Sequence, residues 1–360
     1  MKIYLQYPFS YSDSPYYKNL IKDLPSEIEF VNVEKQKGVI VNKKKFKFSD
    51  NLKRIIKYFL NNLFLPIPNA YFTKSKKTFD LIHCAHCLSL NKKFPWVTDI
   101  EFESQMWGGA RDNKLRKKIA GKFLRAKNCK KILPWMEWTK EKILKDFPEV
   151  SEKMEVVYPA IPLPTVKRKE HKNLNLVFSG RYFYAKGGLH ALEVIDRLTK
   201  KHENVYAVFN SFVPEEILAK YSENKKIKFC ELIPQEELFE IYSTSDIFVY
   251  PGYSDSFGFG FLEAMSFGIP IVTVDNIGRK EIVTEKTGFV IDVENFSNFK
   301  AEVMDEETIG KIEEKVDELI VNDKLRKVMS EEGITMIRDG RFSIKERNKK
   351  LERIYSEALK

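Results

Sequence analysis

A single charged side chain, Glu263, lies between Asp255 and Asp275, in a run that begins Pro251-Gly-Tyr-Ser-Asp-Ser-Phe-Gly and ends Gly268-Ile-Pro-Ile-Val-Thr-Val-Asp. Its neighbours are apolar, small or glycine. A carboxylate in such surroundings costs about 2–7 kcal/mol unless a partner satisfies it. Two readings are open: a ligand donates hydrogen bonds to Glu263, or it is a core glutamate paired with a distant Lys or Arg. The residues before it, Phe257-Gly258-Phe259-Gly260, fall where a strand turns into a helix. Glycine amides approach a ligand closely there, and the helix dipole favours an anion. A second turn, Gly180-Arg181-Tyr-Phe-Tyr-Ala-Lys186-Gly187-Gly188, repeats the logic with two cations added. Its spacing is neither a Walker loop nor G-x-G-x-x-G. Both turns suit a phosphorylated ligand.

Other clusters are weaker. His83-Cys84-Ala-His86-Cys87 has metal-ligand residue types, but Cys129 and Cys230 sit in unrelated elements, so the stretch reads as a strand end carrying buried thiols. Four cysteines in 360 residues do not make a disulfide framework. No acidic residue occurs between Asn113 and Cys129. Leu115, Ile119 and Phe123 recur every fourth position as an apolar stripe, clothed by Lys114, Arg116, Lys117, Lys118, Lys122 and Arg125. This reads as a solvated helix or as one lying on anionic membrane. Net charge +10 implies an acidic partner. Nucleic acid is disfavoured, because aromatics are not interleaved as a stacking platform requires.

The elements that position these residues alternate. At 43% hydrophobic and 13% aromatic, the chain suits about two domains with real cores. Strands are expected at 2–6, 27–33, 80–83, 96–98, 130–133 and 154–158, with a short extended piece at 38–41. Helices are expected from Pro15 to about Leu24, over 51–64, 113–129 and 139–147. The proline- and charge-rich stretch before Lys172 reads as a linker. Beyond it, strands at 174–179, 204–209, 227–230, 246–250, 270–274 and 289–291 alternate with helices, which argues for a parallel, doubly wound sheet. Ser343-Ile-Lys-Glu346 is a capping box opening a final helix whose apolar face is Leu351, Ile354, Tyr355 and Ala358. The division is an N-terminal domain over 1–160 that the 343–360 helix rejoins, a linker over 161–172, and a C-terminal domain over 173–342. No segment reaches the roughly 18 apolar residues of a spanning helix, and the N-terminus is strand-like. The expectation is a cytoplasmic protein, soluble or peripheral at the membrane.

In this order and spacing, Phe178-Ser-Gly-Arg181…Lys186-Gly-Gly, Ser245-Asp246, Asp255-x-Phe257-Gly258…Glu263-Ala-Met, Gly268-x-Pro270, Gly278…Glu281-Ile-Val and Thr287-Gly288-Phe resemble the donor domain of family 4 retaining glycosyltransferases. The N-terminal half matches in strand–helix order and in Val157-Tyr-Pro-x-Ile161. The resemblance implies the α/β GT-B fold: two Rossmann-like doubly wound domains facing across a cleft, the C-terminal helix returning to the first. It implies a sugar moved from a nucleoside-diphosphate donor to a glycan or lipid-linked acceptor with retention. Arg181 and Lys186 would hold the diphosphate. Gly180 and the amides around Phe257, Gly258, Phe259 and Gly260 would contact sugar and phosphate. Glu263 would accept from the ribose hydroxyls, and Asp255 would orient the sugar.

Asp255 stands where the family usually has Glu. Ser10, Tyr11, Ser12 and Ser14 replace the usual glycine pair after the first strand. Asp99 or Glu101 replaces the His often found after the fourth strand and would lie on the acceptor side. No Asp-x-Asp motif occurs, so the expectation is no metal and no cofactor. The acceptor would bind the N-terminal domain, with an anionic membrane met through 113–127 and 51–72. Rival expectations are a sugar-nucleotide 2-epimerase of the same fold and a non-catalytic membrane- or anion-binding module.

Overall fold

The computed structural model describes residues 1–6, 15–21, 23–32, 69–73, 75, 77–108, 114–254, 257–293 and 301–360. The expected 38–41 and 51–64 elements, the serines of the first loop and Asp255 lie outside them. The chain forms two compact units. One is built from the described residues up to Ala160 together with Arg341–Lys360, the other from Ile161–Gly340.

The N-terminal unit runs β1 (Lys2–Gln6), α1 (Pro15–Leu20), β2 (Glu29–Phe30), β3 (Ala70–Tyr71), β4 (Leu81–Ala85), β5 (Leu88–Ser89), β6 (Trp96–Ile100), α2 (Lys114–Arg125), β7 (Cys129–Pro134) and α3 (Glu137–Asp146). Its main sheet has the order β2-β1-β4-β6-β7, all parallel. Every residue of β4 and β6 is buried, as a parallel strand covered on both faces requires. Two elements are shorter than expected: α1 stops at Leu20, and β2 is only Glu29–Phe30. Residues 154–158 are not a strand. They run beside β7 through one bridge, Ile132 to Met154, and through the Glu155 and Val157 amides.

The apolar stripe expected on α2 is also displaced. Its buried side is Arg116, Ala120, Gly121 and Leu124, and Leu115 is 52% exposed. Gly121 is the cause. A Cβ there would stand 2.8 Å from the Phe147 ring, so the helix turns its smallest residues to the closest neighbour.

The C-terminal unit runs β8 (Leu174–Gly180), α4 (Gly188–Lys201), β9 (Val205–Ser211), α5 (Glu215–Tyr221), β10 (Ile227–Cys230), α6 (Gln235–Tyr242), β11 (Ile247–Val249), α7 (Phe259–Ser266), β12 (Ile271–Val274), α8 (Arg279–Ile282), β13 (Gly288–Ile291), α9 (Glu306–Val321) and α10 (Asp323–Arg338). The sheet is parallel, in the order β10-β9-β8-β11-β12-β13. Stacked rings hold its middle, with Phe178 4.4 Å from Phe209 and Phe248 5.1 Å from Tyr250. The segment before β8 is laid onto this unit rather than spanning freely. Asp246 accepts from Arg168 at 2.7 Å and from the Asn175 amide at 2.8 Å, and it pairs with His171 at 2.8 Å.

The last helix, α11 (Ile344–Ala358), belongs to the N-terminal unit. Ser343 caps it by accepting from the Glu346 amide at 3.2 Å. It buries Leu351, Ile354, Tyr355 and Ala358, and also Arg347, which donates to the Asn19 carbonyl at 2.6 Å. Burial pushes the Arg347 guanidinium down to about 10.

Candidate functional site

In the C-terminal unit, β8 and β11 are neighbours, and the chain leaves β8 on one side and returns on the other. Ligands of open α/β sheets bind at such a switch point, outside the carboxyl ends of the strands. The two glycine turns follow those two ends.

The first turn folds back on itself. The amides of Lys186, Gly187 and Gly188 donate to the carbonyls of Tyr182, Tyr184 and Phe183 at 2.8, 2.8 and 2.7 Å. Gly187 caps α4 with φ +75°, and a Cβ on it would lie 2.5 Å from Pro251 Cβ. Only glycine fits that close approach in the left-handed region. The second turn is sewn to the first. The Gly252 amide donates to the Lys186 carbonyl at 3.1 Å, and the Ser254 amide to the Ala185 carbonyl at 2.9 Å. Lys186 Nζ donates to the Ser254 carbonyl at 3.1 Å. Lys186 is therefore held against the loop after β11, with Gly180 packed on its side chain and Arg181 next in the same turn. Both cations are half-buried.

Gly258 opens α7 with φ +77° and no side-chain cap, so its first amides have no side-chain acceptor at the cap. Phe257 is buried and packs edge-on against half-buried Phe259 at 5.4 Å. Gly260 differs from the other two glycines: among the described residues, a Cβ there would meet only the Phe248 ring, at 3.8 Å. Glu263, on the same helix, is half-buried. Its Oε1 accepts from Gln235 Nε2 at 2.7 Å, and its carbonyl accepts from Ser266 at 2.6 Å. A side-chain amide is thus one partner of the carboxylate.

Arg279 escapes a sequence reading. It is 0% exposed, donates from Nη2 to the Gly252 carbonyl at 3.1 Å, and lies over the Phe261 ring at 4.4 Å. It braces the second turn from inside. Among the charged residues Asp275, Lys280 and Glu281 nothing in the sequence marks it out.

Asp99 and Glu101 belong to the N-terminal unit. Asp99, at the end of β6, is 2% exposed. It takes the Tyr16 hydroxyl, His83 Nε2 at 2.9 Å and the His86 amide at 3.0 Å, with His86 Nδ1 at 3.4 Å. Burial alone would raise its carboxyl. The His83 hydrogen bond, the nearby His86 and His83 charges and the Tyr16 bond outweigh this and hold it below the usual range. His83 Nδ1 also bonds the Tyr355 hydroxyl at 2.6 Å, so α11 completes the cluster. His86 carries φ +53°, an uncommon conformation for a non-glycine residue, at the end of β4. Glu101 is half-buried, and its carboxylate accepts from Gln105 at 3.1 Å. In the stretch read as a strand end with buried thiols, Cys84 and Cys87 are indeed buried, while both histidines are engaged by Asp99.

Residues 163–336 match the family of glycosyl transferases group 1. The chain is 37% identical over 70 residues to D-inositol 3-phosphate glycosyltransferase of Corynebacterium efficiens, covering 19% of this chain and 16% of that protein. A glycosyltransferase from Rickettsia africae ESF-5 superposes with TM-score 0.64 at 14% identity, over 100% of this chain and 98% of that one. Anabaena Alr3699/HepE, solved in complex with UDP-glucose, superposes with TM-score 0.53 at 14% identity, over 77% of this chain and 79% of that one. At such identities the structures show the fold, which is GT-B.

Proposed function

We propose that this protein is a retaining glycosyltransferase using a nucleoside-diphosphate sugar, a reading supported by the match of residues 163–336 to the group 1 glycosyl transferases and by the GT-B fold. The observation that carries the reading is the sewing of the Gly180–Gly188 turn to the loop after β11 at the switch point of the sheet. It sets Lys186 beside the loop that leads to the amino end of α7, in the turn that also carries Arg181. In this reading the two cations hold the diphosphate and stabilise its charge as it leaves, the work a metal does elsewhere. The amides of 257–260 meet sugar and phosphate, Glu263 accepts from the ribose hydroxyls, and Asp255 orients the sugar.

The bond from the anomeric carbon to the donor phosphate breaks as the bond to an acceptor hydroxyl forms on the same face. The leaving phosphate oxygen takes the hydroxyl proton. The acceptor belongs to the N-terminal unit, where Glu101 and the Asp99–His86 pair stand at the carboxyl ends of strands. On α2, Lys114, Lys118, Lys122 and Arg125 recur on one exposed face beside Leu115. That pattern fits an anionic membrane surface, a lipid-linked or surface-glycan acceptor and a peripheral cytoplasmic location. Among the described residues no helix is long and apolar enough to cross a membrane.

The test is to incubate the protein with UDP-, GDP- and ADP-sugars, with and without octyl glycosides as hydroxyl acceptors. The measured quantities are nucleoside diphosphate release and the anomeric configuration of the product. Acceptor-dependent release with retained configuration is expected. No release from any donor counts against the reading, and an isomer of the donor formed without acceptor would assign a 2-epimerase instead.

A further inference from the structure

We propose that Gln235 is the positioning residue that fixes the Glu263 carboxylate for the ribose of the donor nucleotide, and so sets the preference for ribose over deoxyribose. The inference deepens the reading above, in which Glu263 meets the ribose hydroxyls.

Its basis is the 2.7 Å bond from Gln235 Nε2 to Glu263 Oε1. A carboxylate only accepts, so the nitrogen side of the amide must face it. Gln235 is the first residue of α6, directly behind Pro234 (φ −55°, ψ 154°), which sets where its side chain starts. The next two residues, Glu236 and Glu237, are acids exposed in the first turn, where the helix dipole favours them. The one neutral residue of the three is the one turned to Glu263. An acid in its place would set two carboxylates within hydrogen-bond distance and drive one to protonate.

The far end of α6 approaches the same group. Tyr242 lies seven residues on, two turns along the same face, and is 1% exposed. Burial and then the Glu263 charge push its phenol up, and the nearby Ser179 hydroxyl at the end of β8 offsets this in part. Ser179 in turn donates to Asn210 at 3.0 Å. Helix α6 thus flanks Glu263, and Gln235 is the member of it that bonds the carboxylate directly. A glutamate side chain has three rotatable bonds, and the amide selects one orientation of it. The vicinal hydroxyls of a ribose are two adjacent donors that one fixed carboxylate accepts together. A 2′-deoxyribose offers only one of them.

Isothermal titration calorimetry tests this with UDP, GDP and ADP and with dUDP, dGDP and dADP, on wild type, Gln235→Met, Gln235→Glu and Glu263→Ala. Wild type is expected to bind one ribonucleotide about tenfold tighter than its deoxy counterpart, the scale of one charge-assisted hydrogen bond. In Gln235→Met and Gln235→Glu the ratio should fall at least about threefold, with deoxy affinity little changed. If those variants weaken both nucleotides equally and leave the ratio intact, Gln235 is merely structural and the proposal fails, while loss of the ratio in Glu263→Ala keeps the functional reading. If no nucleoside diphosphate binds, or Glu263→Ala keeps the ratio, the functional reading fails and this inference with it.

Discussion

Gly260→Ala separates ligand approach from folding. Gly260 is the second residue of α7, and among the described residues the nearest atom to an added Cβ is in the Phe248 ring at 3.8 Å, an ordinary contact. Its φ is not positive, so alanine fits the backbone. Replacing a helical glycine with alanine gains about 0.5–1 kcal/mol through the unfolded chain. For a unit of this size that is a rise of roughly 1–4 °C in Tm. If backbone amides at this helix start face the diphosphate sugar, the methyl group intrudes where the ligand must come close, and binding weakens by about tenfold or more. The assay is a thermal melt without ligand beside a titration of the best-binding nucleoside diphosphate. A variant that is as stable as wild type and binds as tightly would refute the placement of the ligand at α7.

Other outcomes follow from the same geometry. Gly187→Ala meets Pro251 at 2.5 Å in a left-handed backbone, a penalty of about 2–5 kcal/mol when steric and backbone strain add. Gly310→Ala, with nothing within 4 Å among the described residues, should be neutral or stabilising in parallel melts. His190 is buried, and burial lowers its imidazole to about 4 from 6.5. The unfolded chain therefore binds the extra proton between those values, and stability falls as pH drops from about 6.5 to about 4, by on the order of 3 kcal/mol. His190→Gln should flatten denaturation midpoints measured across that window. Sugar transfer should survive EDTA, since Arg181 and Lys186 are assigned the charge of the leaving diphosphate. Loss of activity restored by Mg²⁺ or Mn²⁺ would reassign that role.

The α/β alternation, and with it the doubly wound architecture, was legible because buried strands and glycine turns leave local marks. The two turns stood out for the same reason, as glycine-bearing runs between a strand and a helix, the first with two cations added. What escaped is tertiary. The Gln235–Glu263 bond joins two helices 28 positions apart, and no spacing rule relates them. Arg279 carried no mark in the sequence because its burial under Phe261 and Gly252 depends on how three elements converge. On α2, the four-residue repeat marked only the edge of the buried side, where Phe123 packs, because Gly121 and Ala120 decide which side comes closest. Asp99 stood out as a carboxylate at a strand end, yet its surroundings come from Tyr16, His83 and His86, with Tyr355 of α11 behind His83.

The central claim is that the paired turns of the C-terminal unit hold the diphosphate of a nucleotide sugar. A thermal-shift panel of UDP, GDP, ADP and their sugars, run on wild type and on Arg181→Ala, tests it most directly. The account predicts a shift with one base, strong in wild type and lost in the variant, both proteins melting alike without ligand. No shift with any of these compounds at millimolar concentration, or one that Arg181→Ala leaves unchanged, would contradict it.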